Sequence, residues 1–194
     1  MTKSLQAAFN SLDVSGCGSI DVAFLLKSLE NNGLRISDPR LQALRADLEQ
    51  NEGLGGKLSL SRFLEAAKSN AVLISKALSG ELIIPDWGTF CSNIVEIAEK
   101  ASVQRGGHLA EYIPQLARVD PEQFGVAICT IDGQQFGWGD YQTDFCLQSC
   151  SKPITYCMGL EEHGQDKVHN HIGHEPSGAR FNKMTLSSDK IPHN

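Results

Sequence analysis

A serine and a lysine three positions apart, Ser149 and Lys152, could form a catalytic pair. On a helix, residues at i and i+3 lie on one face, with Cβ atoms about 5–6 Å apart. An unprotonated lysine amine at that distance can accept the serine proton and make the serine a nucleophile. Ser151 is the poorer nucleophile, because it is directed roughly 100° away from Lys152 around the helix.

A lysine needs special surroundings to act as a base. Its ordinary pKa is near ~10.4, so burial or a neighbouring cation must lower it. A helix that follows a strand hairpin could supply the burial, and its N-terminus would place the positive end of the helix dipole near the serine. By itself, Ser-x-x-Lys also fits an exposed helical turn with a solvated lysine, so the interpretation depends on the surrounding elements.

The segment before the dyad has the pattern of a β-hairpin. Residues 124–131 read as a buried strand, and Asp132-Gly133 is a strong two-residue turn signal. Residues 134–138 would form the returning strand, and a helix would begin near Gln148. A strand pair followed by a helix is typical of an α+β domain.

The first 70 residues have the pattern of helices joined by loops. A glycine followed two residues later by an aliphatic residue occurs in two of these loops, as Gly18 with Ile20 and as Gly56 with Leu58. These are positions 6 and 8 of an EF-hand loop, where glycine allows the sharp turn and the aliphatic residue pairs the two loops.

Both loops lack the ligands that calcium needs. Position 12, where a bidentate glutamate normally completes the site, holds Phe24 in the first loop and Arg62 in the second. Positions 3 and 5 hold Ser15 and Cys17 in the first loop and glycines in the second. We therefore expect no calcium binding, and we interpret the loop pair as packing geometry.

Other classes of site and partner are disfavoured by the sequence. The cluster His169, His171 and His174 could suggest zinc, but it lacks a cysteine partner or a second cluster, so no metal site is predicted. A net charge of −6 without a basic stripe argues against nucleic acid. No apolar run approaches the roughly 20 residues that span a bilayer, and the first residues lack signal-peptide or transit-peptide character. Six cysteines without a CxxC pair indicate a reducing compartment.

Several separated motifs resemble the glutaminase family, and they occur in the family's order. They are LQSCSKP at 147–153, EEHG at 161–164, GHEPSGARFN at 173–182, PHN at 192–194, HLAEYIPQLARVDPEQFGVAICTIDGQ at 108–134 and SLENNGLRISDPRLQAL at 28–44. Because the resemblance includes the N-terminal helical region, it points to the animal type of the family.

The resemblance implies hydrolysis of L-glutamine to L-glutamate and ammonia without a cofactor. The family's nucleophile falls on Ser149 and its general base on Lys152. Gln148 falls on a substrate-binding position, and Tyr112 matches the tyrosine that assists proton transfer beside the dyad. Residues 175–192 match the loop that gates the active site near the subunit contact. By the same resemblance we expect a homo-oligomer (a dimer or homotetramer) and a mitochondrial, or otherwise cytoplasmic, location.

The expected fold class is α+β. It comprises an all-α EF-hand-like domain at 1–70, a connecting helix or linker at 71–84, and at 85–194 the first part of a domain like serine β-lactamases and penicillin-binding proteins. The family's further substrate ligands follow the PHN run, so we expect the catalytic domain to be truncated and the 194-residue chain alone to be inactive. Two rival interpretations are a regulatory or interaction subunit of full-length glutaminase, and a penicillin-recognising serine hydrolase, which fits the surrounding motifs less well.

Overall fold

The computed structural model describes residues 2–53, 55–104, 106–180, 183, 185–188 and 190–193. This part of the chain consists of α-helices, short 3-10 turns and two small antiparallel strand pairs. The chain divides into two compact units, Met1–Thr143 and Asp144–Asn194. The predicted mixture of helix and sheet is confirmed, while the domain boundaries at 70 and 84 and the likeness to serine β-lactamases stay predictions.

The first unit holds most of the regular elements. In chain order, they are α1 (Thr2–Leu12), β1 (Ser19–Asp21), α2 (Val22–Asn31), α3 (Gln42–Asn51), β2 (Lys57–Ser59), α4 (Leu60–Ala66), α5 (Ala71–Leu78), α6 (Trp87–Ser102), β3 (Gly125–Cys129) and β4 (Gln135–Gly139).

A core of leucine and phenylalanine side chains holds α1 to α5 together. Phe9 and Phe63 are both at most 2% exposed, and their ring centroids lie 5.7 Å apart. Leu25 and Leu29, one helical turn apart on α2, are fully buried in the same cluster. The core therefore forms from the apolar helix faces that the sequence periodicity predicts.

The two EF-hand-like loops pair through the short strands β1 and β2. These strands are antiparallel, and Ile20 lies opposite Leu58. Gly18, just before β1, has a φ of 77°, in the left-handed region that favours glycine. The predicted pairing of the loops through their position-8 residues is confirmed.

The predicted hairpin forms from β3 and β4, with Ala127 opposite Gly137. Its turn is closed by a hydrogen bond from the Thr130 N–H to the Gln134 carbonyl, at 3.0 Å. The expectation that residues 124–131 form a buried strand is wrong. Residues of β3 alternate between exposed and half-buried, because β4 is the one strand that pairs with β3 among the described residues and no residue of either strand is fully buried.

The second unit contains a 3-10 turn at Gln148–Ser151 and two helices, α7 (Lys152–His163) and α8 (Gln165–His169). An isolated antiparallel bridge joins Leu186 and Pro192. Among the described residues of this unit, Val168 is the one buried hydrophobic side chain. In the described part of the whole chain, no helix is long and apolar enough to cross a membrane.

Candidate active site

Ser149 and Lys152 lie where the 3-10 turn runs directly into α7. Ser149 is in the turn Gln148–Ser151, and Lys152 is the first residue of the α-helix. Pro153 follows in the first helical turn, where its missing N–H costs no hydrogen bond. The helix predicted near Gln148 is thus present. Its 3-10 start brings residues three apart to the same side, because such a turn contains about three residues.

The neighbouring serine has a different environment. The Ser151 hydroxyl donates to the Gln148 carbonyl oxygen at 2.8 Å, and Ser151 is half-buried. Ser149, in contrast, is exposed. Ser151 therefore closes the turn through its own hydroxyl, and Ser149 is the serine of the motif that is open to a reactant.

Gln148 has an unusual backbone conformation. Its φ is 50°, in the left-handed region that residues other than glycine rarely adopt. Such a conformation costs free energy, and it turns the chain sharply just before Ser149. The predicted substrate-binding residue therefore sits at a strained position directly before the predicted nucleophile.

The burial that Lys152 would need as a base is not present within the second unit. Ser149 and Lys152 are both exposed, and no described residue of α7 is buried. The physical reason is that the few described elements of this unit leave the start of α7 uncovered. Sequence spacing predicts which side chains share a face, but it does not predict what covers that face.

Tyr112 belongs to the first unit, in the irregular stretch between α6 and the 3-10 turn Leu116–Arg118. Its side chain is 60% exposed. The predicted site residues are therefore divided, with Tyr112 in one compact unit and Gln148, Ser149 and Lys152 in the other.

A cavity of about 610 Å³ runs along α7 and α8, with Lys152 and Tyr156 in its wall. These two residues are one helical turn apart, on the same face of α7. The Tyr156 hydroxyl lies 2.9 Å from His169 Nε2, and His169 Nδ1 lies 3.1 Å from the Ile172 carbonyl oxygen. Because the carbonyl can only accept, Nδ1 carries the hydrogen that is donated to Ile172. Tyr156 is not among the site residues predicted from the sequence, although its i+4 spacing from Lys152 was available as a signal.

The histidines that could suggest zinc have other partners. His169 also stacks on His174 with ring centroids 3.5 Å apart, and His171 Nδ1 donates to the Lys167 carbonyl at 2.9 Å. In the ranges that the structure describes, no group of three His, Cys, Asp or Glu side chains could hold a metal ion.

In the second EF-hand-like loop, an arginine side chain occupies the position of a calcium ligand. The Arg62 guanidinium, at position 12, donates to Glu52 and Asp47 at 2.7 Å each and to Glu65 at 2.8 Å. Hydrogen bonds to these carboxylates, with Glu52 the largest contribution, raise the pKa of Arg62. The side chain where calcium would need a carboxylate thus neutralises acidic residues from α3, the loop and α4.

The first EF-hand-like loop organises its carboxylate differently. Asp13, at position 1, accepts hydrogen bonds from the backbone N–H groups of Gly18 at 2.8 Å and Cys17 at 3.0 Å. The bond from Gly18 is the largest cause of a lowered pKa for Asp13. Here the loop backbone supplies the donors that hold the carboxylate.

The fold and the site define a paired EF-hand-like region followed by a segment with a Ser-x-x-Lys motif at a helix start. Residues 6–85 match the family model of an EF-hand domain, and residues 107–194 match that of glutaminase. The resemblance to animal-type glutaminases is confirmed, with the match to the glutaminase family over residues 107–194.

Known glutaminases align over much of the chain. The mitochondrial liver isoforms of glutaminase from Mus musculus and Rattus norvegicus are each 41% identical over 170 residues, which is 86% of this chain and 28% of each relative. A glutaminase of Corynebacterium efficiens is 44% identical over 91 residues, which is 47% of this chain and 22% of the relative. The chain therefore spans under a third of the length of these relatives.

Proposed function

We propose that this chain carries the nucleophile segment of a glutaminase site that hydrolyses L-glutamine to L-glutamate and ammonia. Ser149 attacks the side-chain amide carbon, and Lys152 accepts the serine proton. The Ser149 backbone N–H holds part of the charge of the tetrahedral oxyanion. Lys152, assisted by Tyr112, returns the proton to the leaving ammonia, and water then releases glutamate from the acyl-enzyme. Gln148 binds the substrate, and no cofactor enters the reaction.

The observation that carries this proposal is the arrangement at the start of α7. Ser149 precedes Lys152 by one turn at a helix N-terminus, where backbone N–H groups lack intrahelical acceptors and favour negative charge. Ser151 already donates its hydroxyl to the Gln148 carbonyl. The glutaminase match over residues 107–194 supports glutamine as the substrate.

The test compares Ser149→Ala with the matched control Ser151→Ala. We place both changes in a hybrid that continues these 194 residues with the corresponding remainder of the mouse relative, and we measure kcat/KM from ammonia release. Ser149→Ala should lower kcat/KM by at least about 10³-fold, because it removes the group that forms the covalent bond. Ser151→Ala should cost less than about tenfold, as loss of one local hydrogen bond. Equal losses, or a larger loss at Ser151, would overturn the assignment.

We further propose that the 194-residue polypeptide is not by itself an effective enzyme. A lysine works as a base where a closed, desolvated pocket disfavours its charged form. Ser149 and Lys152 are exposed in the second unit, and Val168 is the one buried hydrophobic residue among those described there. The dyad therefore needs additional polypeptide to cover it.

A second candidate function is that of an interaction subunit of full-length glutaminase. The exposed apolar residues of the second unit favour it, since Phe145 is 74% exposed and Ile154 and Met158 are each 61% exposed. Ile154 and Met158 lie one turn apart on α7, so they form a stripe that a partner can cover. The test is light scattering of the purified chain mixed with the mouse relative. A mixed complex that Met158→Glu abolishes would support this function, and two unmixed species would exclude it.

Location and assembly are proposed from the likeness to glutaminases. The mouse and rat relatives are named as mitochondrial proteins. We propose a mitochondrial location for this protein and a homo-oligomeric assembly, as a dimer or homotetramer. Fractionation of cells with an antibody against the chain tests the location, and light scattering at several concentrations tests the assembly.

A further inference from the structure

The turn of the β3–β4 hairpin inserts a buried polar side chain among the helices of the first unit. Gln134 is 1% exposed. Its Nε2 donates to the carbonyls of Asn32 at 3.0 Å and Ile84 at 2.9 Å, and its Oε1 accepts from the Ile84 N–H at 3.0 Å. Both amide hydrogens and one oxygen lone pair are thus satisfied by backbone groups far away in sequence.

In the described part of the chain, the backbone groups that bond to Gln134 have no hydrogen-bond partner within their own helix or loop. Asn32 is the C-cap of α2, and carbonyls at a helix C-terminus lack intrahelical donors. Ile84 lies in the irregular connection between α5 and α6, where no ladder or helix satisfies the backbone. The Gln134 amide therefore replaces water at both places, and its removal would leave buried polar groups without a partner.

Two more hydrogen bonds join the hairpin turn to the same part of the first unit, at Ile83 and Gly33. The Ile83 N–H donates to Asp132 Oδ2 at 2.6 Å, and the Gln135 N–H donates to the Gly33 carbonyl at 2.8 Å. The Thr130 hydroxyl donates to the other oxygen of Asp132 and so orients that carboxylate. Five hydrogen bonds, counting the three of Gln134, therefore join the turn to residues 32–33 and 83–84.

Close packing accompanies these hydrogen bonds. Gly33 has a φ of 88°, and a Cβ there would lie 2.6 Å from the Trp87 ring and 2.9 Å from the Gln134 Cβ. On the other side, a Cβ at Gly133 would overlap the Arg40 guanidinium. A glycine on each surface therefore allows an approach that other residues would block.

The Arg40 guanidinium is held in place before it meets the turn. Its Nε and Nη2 donate to the two oxygens of buried Asp38 at 3.0 and 2.7 Å. The hydrogen bonds to Asp38, and to a smaller extent the charge of Asp132, raise the pKa of Arg40. The Arg40 guanidinium is therefore held in a fixed position near the turn that carries the Asp132 carboxylate.

We infer that the paired EF-hand-like region works as a rigid socket for the first hairpin of the glutaminase-family segment. The socket is formed by residues 32–33, Arg40 and residues 83–84, and the inserted element is the turn 130–135. The EF-hand match at 6–85 and the glutaminase match at 107–194 meet at this contact. The helical region, whose second loop carries Arg62 in place of a calcium ligand, therefore has the function of fixing the hairpin. This function is independent of glutamine hydrolysis.

Hydrogen–deuterium exchange on the full chain tests the socket, resolved to single amides by NMR. The reporters are the amides of residues 83, 84 and 135, whose acceptors are Asp132, Gln134 and Gly33. Gln134→Ala should speed exchange at these amides at least about tenfold, because the turn loses three of its five hydrogen bonds. The matched control is Gln135→Ala, since the structure gives the described Gln135 side chain no hydrogen bond. It should change exchange less than about threefold.

Gly33→Ala changes the socket without altering the hairpin. It should speed exchange at residues 83, 84 and 135 as Gln134→Ala does, while the amides of buried Leu25 and Leu44 stay protected. If Gln134→Ala fails to fold, amide exchange in Gly33→Ala and in the wild-type protein tests the socket instead. Equal exchange in the Gln134→Ala and Gln135→Ala proteins would overturn the socket. So would wild-type exchange at residues 83 and 84 as fast as at exposed Gly106 and Gly107, or unchanged exchange in Gly33→Ala.

Discussion

The two compact units place their apolar residues in opposite environments. In Met1–Thr143, the side chains of Phe9, Phe63 and the surrounding leucines are buried in one cluster. In the described part of Asp144–Asn194, Val168 is the one buried hydrophobic residue, while Phe145 and Met158 are mostly exposed. The first unit therefore has its own source of stability, since burial of apolar area is the main favourable term in folding.

This difference bears directly on the chemistry. The unit with the well-formed core carries the degenerate calcium loops, and the unit with little core carries Ser149 and Lys152. Ser149 and Lys152 have the spacing that the proposed function requires at the start of α7, but α7 and α8 leave both side chains exposed. The spacing of a dyad and the burial of a dyad are thus separate requirements, and one can be present without the other.

The greatest consequence that we expect from this difference between the units concerns turnover. The purified 194-residue chain should release ammonia from glutamine far below the ~1 s⁻¹ of an ordinary enzyme, because its dyad is exposed. The measurement is a coupled ammonia assay with the Ser149→Ala chain as background. Turnover near ~1 s⁻¹ above that background would show that exposure of the dyad in the second unit does not prevent catalysis.

The second effect in size is expected on the free energy of unfolding. Phe63→Ala should lower the free energy of unfolding of the first unit by about 3–5 kcal/mol, because Phe63 is fully buried against Phe9. Met158→Ala, on exposed α7, should change the free energy of unfolding by about 0.5 kcal/mol or less. Urea titration followed by circular dichroism measures both, and similar costs would contradict the difference between the units.

The third effect, smaller again, concerns Arg62, the cation inside the second EF-hand-like loop. Arg62→Met keeps much of the aliphatic stem but leaves Glu52, Asp47 and Glu65 without their shared partner. It should lower the melting temperature by several degrees, and added salt should reduce the difference from wild type by screening the carboxylates. The control is Lys27→Met, since Lys27 makes one exposed pair with Glu30 at 3.8 Å. Equal melting temperatures for the two variants would show that the Arg62 cluster does not stabilise the loop.

The smallest expected effect is that of calcium. Position 12 of the loops holds Phe24 and Arg62, so micromolar calcium should give no saturable heat in a calorimetric titration of the chain. It should leave the melting temperature unchanged, because a ligand stabilises only a state that binds it. Saturable heat at micromolar calcium would mean that the loops bind the ion despite these residues.

Local patterns in the sequence were sufficient for much of the fold and for the helix start that carries Ser149 and Lys152. Glycine and aliphatic positions predicted the pairing of Ile20 with Leu58. Asp132-Gly133 predicted where the hairpin turns, but the connection is longer than the predicted two residues, because β3 ends at Cys129 and β4 begins at Gln135. The three-residue interval between Ser149 and Lys152 predicted a shared helix face at the start of α7. These features depend on spacing within a few residues, which the backbone geometry of helices and turns fixes directly.

Which distant groups meet, and which stay in solvent, depends on the packing of whole elements against one another. Gln134 bonds to the carbonyl of Asn32 across 102 positions, and no periodicity in either segment predicts that contact. The expectation of a buried strand at 124–131 failed for the same reason. An apolar run predicts that a segment can be covered, whereas its actual burial depends on which elements pack over it. Exposure of Ser149 and Lys152 likewise reflects what lies over α7, a property of the assembled structure and not of the residues three positions apart.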